Sequence, residues 1–202
     1  MSTDVQAQWL IQAKNNDIAA FSRLVEVYQA PVYNLCYRML GNRQDAEDAA
    51  QETFMRAFRS IKKYDPQRPF KTWLLTIASR YCIDQYRKRR LPTVDLEPFV
   101  DFGLPDAGPG PEAALGRKEQ DRQMQQVLHR LKPNERACII MKYWHDMSLE
   151  EISEALDLTV PAVKSYLYRA RKELARTLAD QTSQPANSPL QSERMHHESP
   201  AI

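Results

Sequence analysis

Cysteine is scarce in this 202-residue chain: Cys36, Cys82 and Cys138 stand far apart, each in apolar, helical-looking surroundings without paired histidines. That excludes a disulfide framework and a zinc motif, and a reducing cytoplasm is the compartment that fits. Long apolar runs are missing too. None approaches the about 18 uncharged residues of a membrane span, and the polar start MSTDVQAQ does not read as a secretory signal, so no membrane insertion is expected. With four histidines, no nucleophile–base spacing and no glycine-rich phosphate loop, no catalytic constellation is visible. The chain reads as a non-enzyme that needs no cofactor and no metal.

Glycine is nearly absent from the body, because Gly103, Gly108, Gly110 and Gly116 are four of only five. With Pro92, Pro98, Pro105, Pro109 and Pro111 they make 92–116 a stretch that sustains neither a helix nor a central strand. On either side, apolar residues recur at three and four positions, as in Ala46, Ala50, Phe54, Ala57, Ile61 and in Val163, Leu167, Ala170, Leu174, Leu178. No sustained period-two alternation supplies a sheet. The expected class is all-α: two small helical domains, 1–91 and 117–180, joined by a flexible linker over 92–116, with a polar, proline-containing tail over 181–202 expected to be disordered.

A formal net charge of +2 conceals blocks. Residues 1–54 carry four basic and seven acidic side chains, and residues 55–92 carry eleven and two. Residues 93–163 then carry seven and thirteen, and 164–180 five and two. Two separated basic surfaces ask for a polyanion.

In the first half, Asp17 caps a helix entered by Ala20, Phe21 and Leu24, and Asn42 with Asp45 forms a capping pair. The helix from Arg43 to Ile61 is expected to bury Ala46, Ala50, Phe54, Ala57 and Phe58. Asp48, Gln51, Glu52 and Met55 then face outward. Carboxylates mixed with one adaptable methionine suit docking of a basic partner helix. Lys62, Lys63, Tyr64, Arg68, Phe70 and Lys71 follow around two prolines. Cations among aromatics suit unpaired bases, although Tyr64 and Phe70 could equally plug a small core. The helix after them turns Leu74, Ile77, Ala78, Tyr81 and Cys82 inward and Thr76, Arg80, Arg87 and Arg90 outward, with Ile83 unexplained on the polar side. Arg87, Lys88, Arg89 and Arg90 have only Asp84 within a turn, so phosphates are their natural counterions.

In the second half, Ser148 with Glu151 starts a helix, Asp157 is placed to take a left-handed turn, and Pro161 sits in the first turn of the next helix. There Val163, Leu167, Ala170 and Leu174 face inward, while Lys164, Ser165, Tyr168, Arg169, Lys172 and Arg176 lie outside or flank. This is the pattern of a helix-turn-helix whose second helix enters the major groove.

The blocks DAEDAAQETF (45–54), TWLLTIA (72–78), YRKRR (86–90), SLEEISEAL and VKSYLYRARKEL stand in an order and spacing that resembles an extracytoplasmic-function (ECF) sigma factor of bacterial RNA polymerase, over about residues 8–178. The resemblance implies region 2, a linker and region 4, and a role in initiation under a stress or envelope response. It places Asp48, Gln51 and Glu52, on the stripe with Asp45 and Met55, against the clamp coiled coil of core polymerase. It assigns the loop with Lys62, Lys63, Tyr64 and Phe70, and the helix with Arg80, Arg87 and Lys88, to the melted −10 element. Lys164, Ser165, Tyr168 and Arg169, with Lys172 beside them, fall to the duplex −35 element. An inhibitory anti-sigma protein is a further implied partner. Arg80 stands where the family commonly has Asn, Tyr166 where Arg is common and Pro161 where Gly is frequent, which bears on the promoter read. Trp73 matches the family's tryptophan, as core packing or as a wedge. The rival reading is a stand-alone helix-turn-helix regulator.

The linker's roughly 25 residues span about 25–30 Å as a relaxed coil and about 80 Å extended. Two DNA elements about one and a half turns apart are roughly 50 Å apart. Deleting about ten linker residues is therefore expected to impair initiation while both halves stay folded. Normal run-off transcription by the shortened chain would contradict the tether.

Overall fold

The computed structural model describes residues 3–89 and 121–182. The expected linker lies outside the described residues, as does the tail from 183 onward, whereas Gln181 and Thr182 belong to the last helix. Helices α1 (Thr3–Lys14), α2 (Ile18–Leu40), α3 (Arg43–Ser60) and α4 (Phe70–Arg89) build the first half, with a 3-10 turn at Ile61–Lys63. The second half contains α5 (121–129), α6 (Pro133–Trp144), α7 (Leu149–Leu156) and α8 (Val160–Thr182). No strand occurs among the described residues.

Local chemistry sets the helix ends. The Ala20 amide donates to Asp17 at 3.0 Å, and the Asp45 amide donates to Asn42 at 2.8 Å, satisfying first-turn donors that have no intrahelical partner. Ser148 and Glu151 bond reciprocally, amide to side chain, at 3.0 and 2.8 Å. Asp157 ends α7 in the left-handed region, at φ 55 and ψ 52, and turns the chain into α8. Gly41 ends α2 at φ +87, and a Cβ there would stand 1.8 Å from Nε2 of His129, so both backbone and space require glycine.

Helices α2, α3 and α4 pack on one another, with α1 against α2, and α6, α7 and α8 form the second cluster. The buried arc of α3 differs from the expected stripe: Ala49 and Thr53 are fully buried, and Ala50, Phe54 and Phe58 only partly. The cause is that α3 is flanked by α2 and α4 together, so its covered face is wider than one line of contact. Thr53 is tolerated there because its hydroxyl donates to the Ala49 carbonyl at 2.7 Å.

The halves are not independent bodies. Helix α6 packs on α2 and α4, α7 packs on α4, and one hydrophobic core runs through both halves. The centre of this seam is Arg136, fully buried. It donates from Nη1 to the Met39 carbonyl of α2 at 2.6 Å, from Nε to Leu128 at 2.7 Å and from Nη2 to Leu131 at 3.4 Å. The Tyr86 ring lies 5.0 Å from its guanidinium carbon.

Candidate nucleic-acid interface

Three surfaces carry the residues singled out in the sequence. On α3, Asp48 and Gln51 are exposed, Met55 is 44% exposed, and Glu52 is half-buried beside Arg56, whose Nε donates to it at 2.7 Å. Gln44 donates to Asp48 at 3.2 Å. Exposed i,i+4 contacts of this kind hold weakly, so both carboxylates remain available to a partner. Asp45 differs: its carboxylate is held by the Asn42 amide group and its own amide caps the helix, so it belongs to the helix start rather than to the outward stripe.

The second surface follows α3. Lys62, Lys63, Arg87 and Lys88 are exposed, with Arg80 exposed on α4. Tyr64 and Phe70 are not on this surface. They are 4% and 6% exposed, and their rings meet edge to face at 5.3 Å within a cluster completed by Tyr28 and Trp73. The Tyr64 hydroxyl donates to the Arg68 carbonyl at 2.5 Å, and burial raises its pKa. The expectation that these two aromatics stack on bases is corrected: they plug the core under the loop, because the turn around Pro66 and Pro69 folds them inward. Of the cluster, Tyr28 and Trp73 keep partial exposure.

The third surface is α8. Lys164, Ser165, Tyr168 and Lys172 are exposed, Tyr168 by 63%, while Val163, Leu167 and Ala170 are buried. Ser165 donates to the Pro161 carbonyl at 3.0 Å. Arg169 is exposed but engaged, donating from Nε to Glu135 at 3.0 Å and lying 4.8 Å from the Tyr166 ring. It therefore ties α8 to α6, and a base could take it only by breaking those contacts.

Sequence reading missed the seam between the halves. Arg68 pairs with Glu154 at 2.9 Å, Thr72 donates to Glu151 at 2.9 Å, and Arg80 donates to the carbonyls of Ala155 and Glu154 at 2.7 and 3.1 Å. These residues lie 74 to 86 positions apart, beyond any periodicity. The one available signal was Ile83, an apolar residue on the polar side of α4, which is 6% exposed.

Two histidines are also packed at this seam. His129 lies over Gly41, and His145 feels Lys71 and Arg38 of the first half as well as its neighbour Asp146. Burial first, and then the nearby cations (Arg136 for His129), lower both pKa values to about 4 from an ordinary 6.5. An imidazole with a depressed pKa gains protons when released, so packing is fully supported above pH 6.5 and weakens as pH falls toward 4. The urea midpoint is expected to fall between about pH 7.5 and 5, and His129→Gln with His145→Gln to flatten that dependence. An unchanged slope in the double variant would contradict it.

Among the described residues no group of histidine, cysteine and carboxylate side chains could hold a metal ion, and no helix is long and apolar enough to cross a membrane.

Comparison with known proteins matches residues 24–91 to Sigma-70 region 2 and residues 121–174 to Sigma-70, region 4. The ECF RNA polymerase sigma factor SigW of Bacillus subtilis is 39% identical over 176 residues, covering 84% of this chain and 94% of that protein. The ECF RNA polymerase sigma factor SigE of Mycolicibacterium smegmatis is 33% identical over 169 residues, covering 84% of this chain and 65% of that protein. Among solved structures, CnrH in complex with the cytosolic domain of CnrY superposes with a TM-score of 0.65 at 26% identity, over 89% of this chain and 99% of that one.

Proposed function

The chain belongs to the extracytoplasmic-function (ECF) sigma factors of RNA polymerase, and from that premise we propose how it divides promoter recognition between its surfaces. The outward face of α3, with Asp48, Gln51, Glu52 and Met55, docks on the clamp coiled coil of core polymerase. Lys62, Lys63, Arg80, Arg87 and Lys88 hold the melted −10 strand, chiefly through its phosphates. Lys164, Ser165, Tyr168 and Lys172 meet the major groove of the −35 element, with Arg169 recruited from its Glu135 pair. The polymerase supplies the chemistry. This chain supplies geometry, anchoring duplex DNA with one half and stabilising unpaired bases with the other.

The observation that carries this reading is the exposure of an acidic helix face and two cationic faces on separate elements, α3, α4 and α8. Charge of both signs kept at the surface in blocks suits one protein partner and one polyanion. CnrH is solved with a partner's cytosolic domain bound. An inhibitor of this chain would cover the same acidic stripe or cationic faces.

The deciding experiment is run-off transcription with purified core polymerase and a promoter library. Transcripts that depend on both the chain and the polymerase are expected. A chain that binds duplex DNA alone and starts no transcript would be a stand-alone regulator instead.

A further inference from the structure

Glu135 stands in the first turn of α6, yet its carboxylate also serves α8. The side chain is 9% exposed. One oxygen accepts from the Lys132 amide at 3.4 Å, which helps to start α6, and the other accepts from Nε of Arg169 at 3.0 Å. The Tyr166 ring, 4.8 Å from the Arg169 guanidinium carbon, adds a second hold on the same group. Lys164 and Lys172 are exposed on that helix and pair with no carboxylate among the described residues. Arg169 therefore differs from them: it is a cation of the outer face that already has a partner within the protein.

Resting on the sigma-factor reading of α8, we propose that Glu135 sets how strictly the −35 face demands guanine, by giving Arg169 a fallback partner. In the major groove the acceptors that best fit a guanidinium are O6 and N7 of guanine, which take two bonds from it. To reach them Arg169 leaves Glu135, so the net gain is the difference between the two partners. Where another base stands, Arg169 stays on Glu135 and no buried carboxylate is left unpaired. A mismatched duplex then loses only that difference. With a weaker fallback, the guanidinium is more available to guanine and has no comparable partner opposite any other base, so discrimination sharpens. Glu135 is too buried to touch DNA itself. It is a positioning residue that acts through Arg169, and it widens the range of duplexes the chain accepts.

The test uses the full chain with core polymerase and a fluorescein-labelled duplex pool randomised across the −35 segment. Arg169→Ala first identifies the position at which guanine preference depends on Arg169, and two duplexes, with and without that guanine, are then titrated. Glu135→Gln keeps an oxygen for the Lys132 amide but loses the charge that holds Arg169. It is expected to tighten binding to the guanine duplex by about fivefold and to change the other by less than about twofold. Tyr166→Leu, which alters no charge, should shift the same ratio in the same direction by about twofold. In an Arg169→Ala background neither substitution should move the ratio. If circular dichroism finds Glu135→Gln unfolded, Tyr166→Leu decides alone. Equal tightening on both duplexes, the mark of a lost repulsion with DNA at large, overturns the proposal. So do a shift that persists without Arg169, weaker binding to both duplexes, an unchanged ratio in folded variants, or a pool with no guanine preference that depends on Arg169. Run-off transcription by the unmodified chain is scored separately: its absence sinks the sigma-factor reading, whereas its presence alongside an unaltered ratio in the variants sinks only the role given to Glu135.

Discussion

Replacing Asp48 and Glu52 together by arginine is expected to weaken binding to core polymerase by at least about a hundredfold, since each reversal turns an attraction into a repulsion worth more than about 1.4 kcal/mol. The fold should be nearly untouched. Asp48 is exposed and takes one bond from Gln44, and Glu52 is half-buried beside Arg56, so internal losses amount to about 0.5 kcal/mol per contact. The Glu52→Arg change also sets a second guanidinium one turn from Arg56, a like-charge pair that costs a similar small amount. Glu26→Arg on α2, exposed and outside the stripe, is the control and should bind normally. Fluorescence polarisation with labelled protein and purified core polymerase measures the effect. Equal affinity for the double variant and the control would remove the docking face from α3.

Replacing Arg136 by alanine is expected to be the most damaging single change to stability. The guanidinium is fully buried, meets three carbonyls and the Tyr86 ring, and its pKa is lowered chiefly by burial. Without it, the Met39, Leu128 and Leu131 carbonyls lose their donor in a dry interior, and a cavity opens. A loss of about 3–5 kcal/mol follows, seen as a fall of about 2 M in the urea midpoint. Arg136→Lys keeps the charge but cannot reach three acceptors with a planar fork, so it should recover little. A loss below about 1 kcal/mol for alanine would show that the seam is held by something else.

Legibility in the sequence followed the range of the interaction. Asp17, Asn42 with Asp45, and Ser148 with Glu151 act within four residues, and each cap occurs where its residues predict it. Asp157 takes the left-handed turn expected of one of the few side chains that tolerate it. The buried face of α3 was read only partly, because periodicity reports one apolar line and α3 is covered from two sides. Tyr64 and Phe70 had two readings in sequence, base platform or core plug, and only their packing with Tyr28 and Trp73 selects the second.

What the amino-acid order determined by itself is the all-α class, the starts of α2, α3 and α7, the left-handed turn at Asp157 and the block pattern of charge, since propensity, capping and amphipathic spacing operate within a turn or two. What only the tertiary structure decided is which charges remain at the surface. Arg136 and Arg87 are both cations on helices, α6 and α4. One is sealed at the junction of two halves, and the other is exposed. The difference lies in contacts across some 97 positions of sequence, such as Arg136 to Met39, which become favourable only when the whole chain has folded.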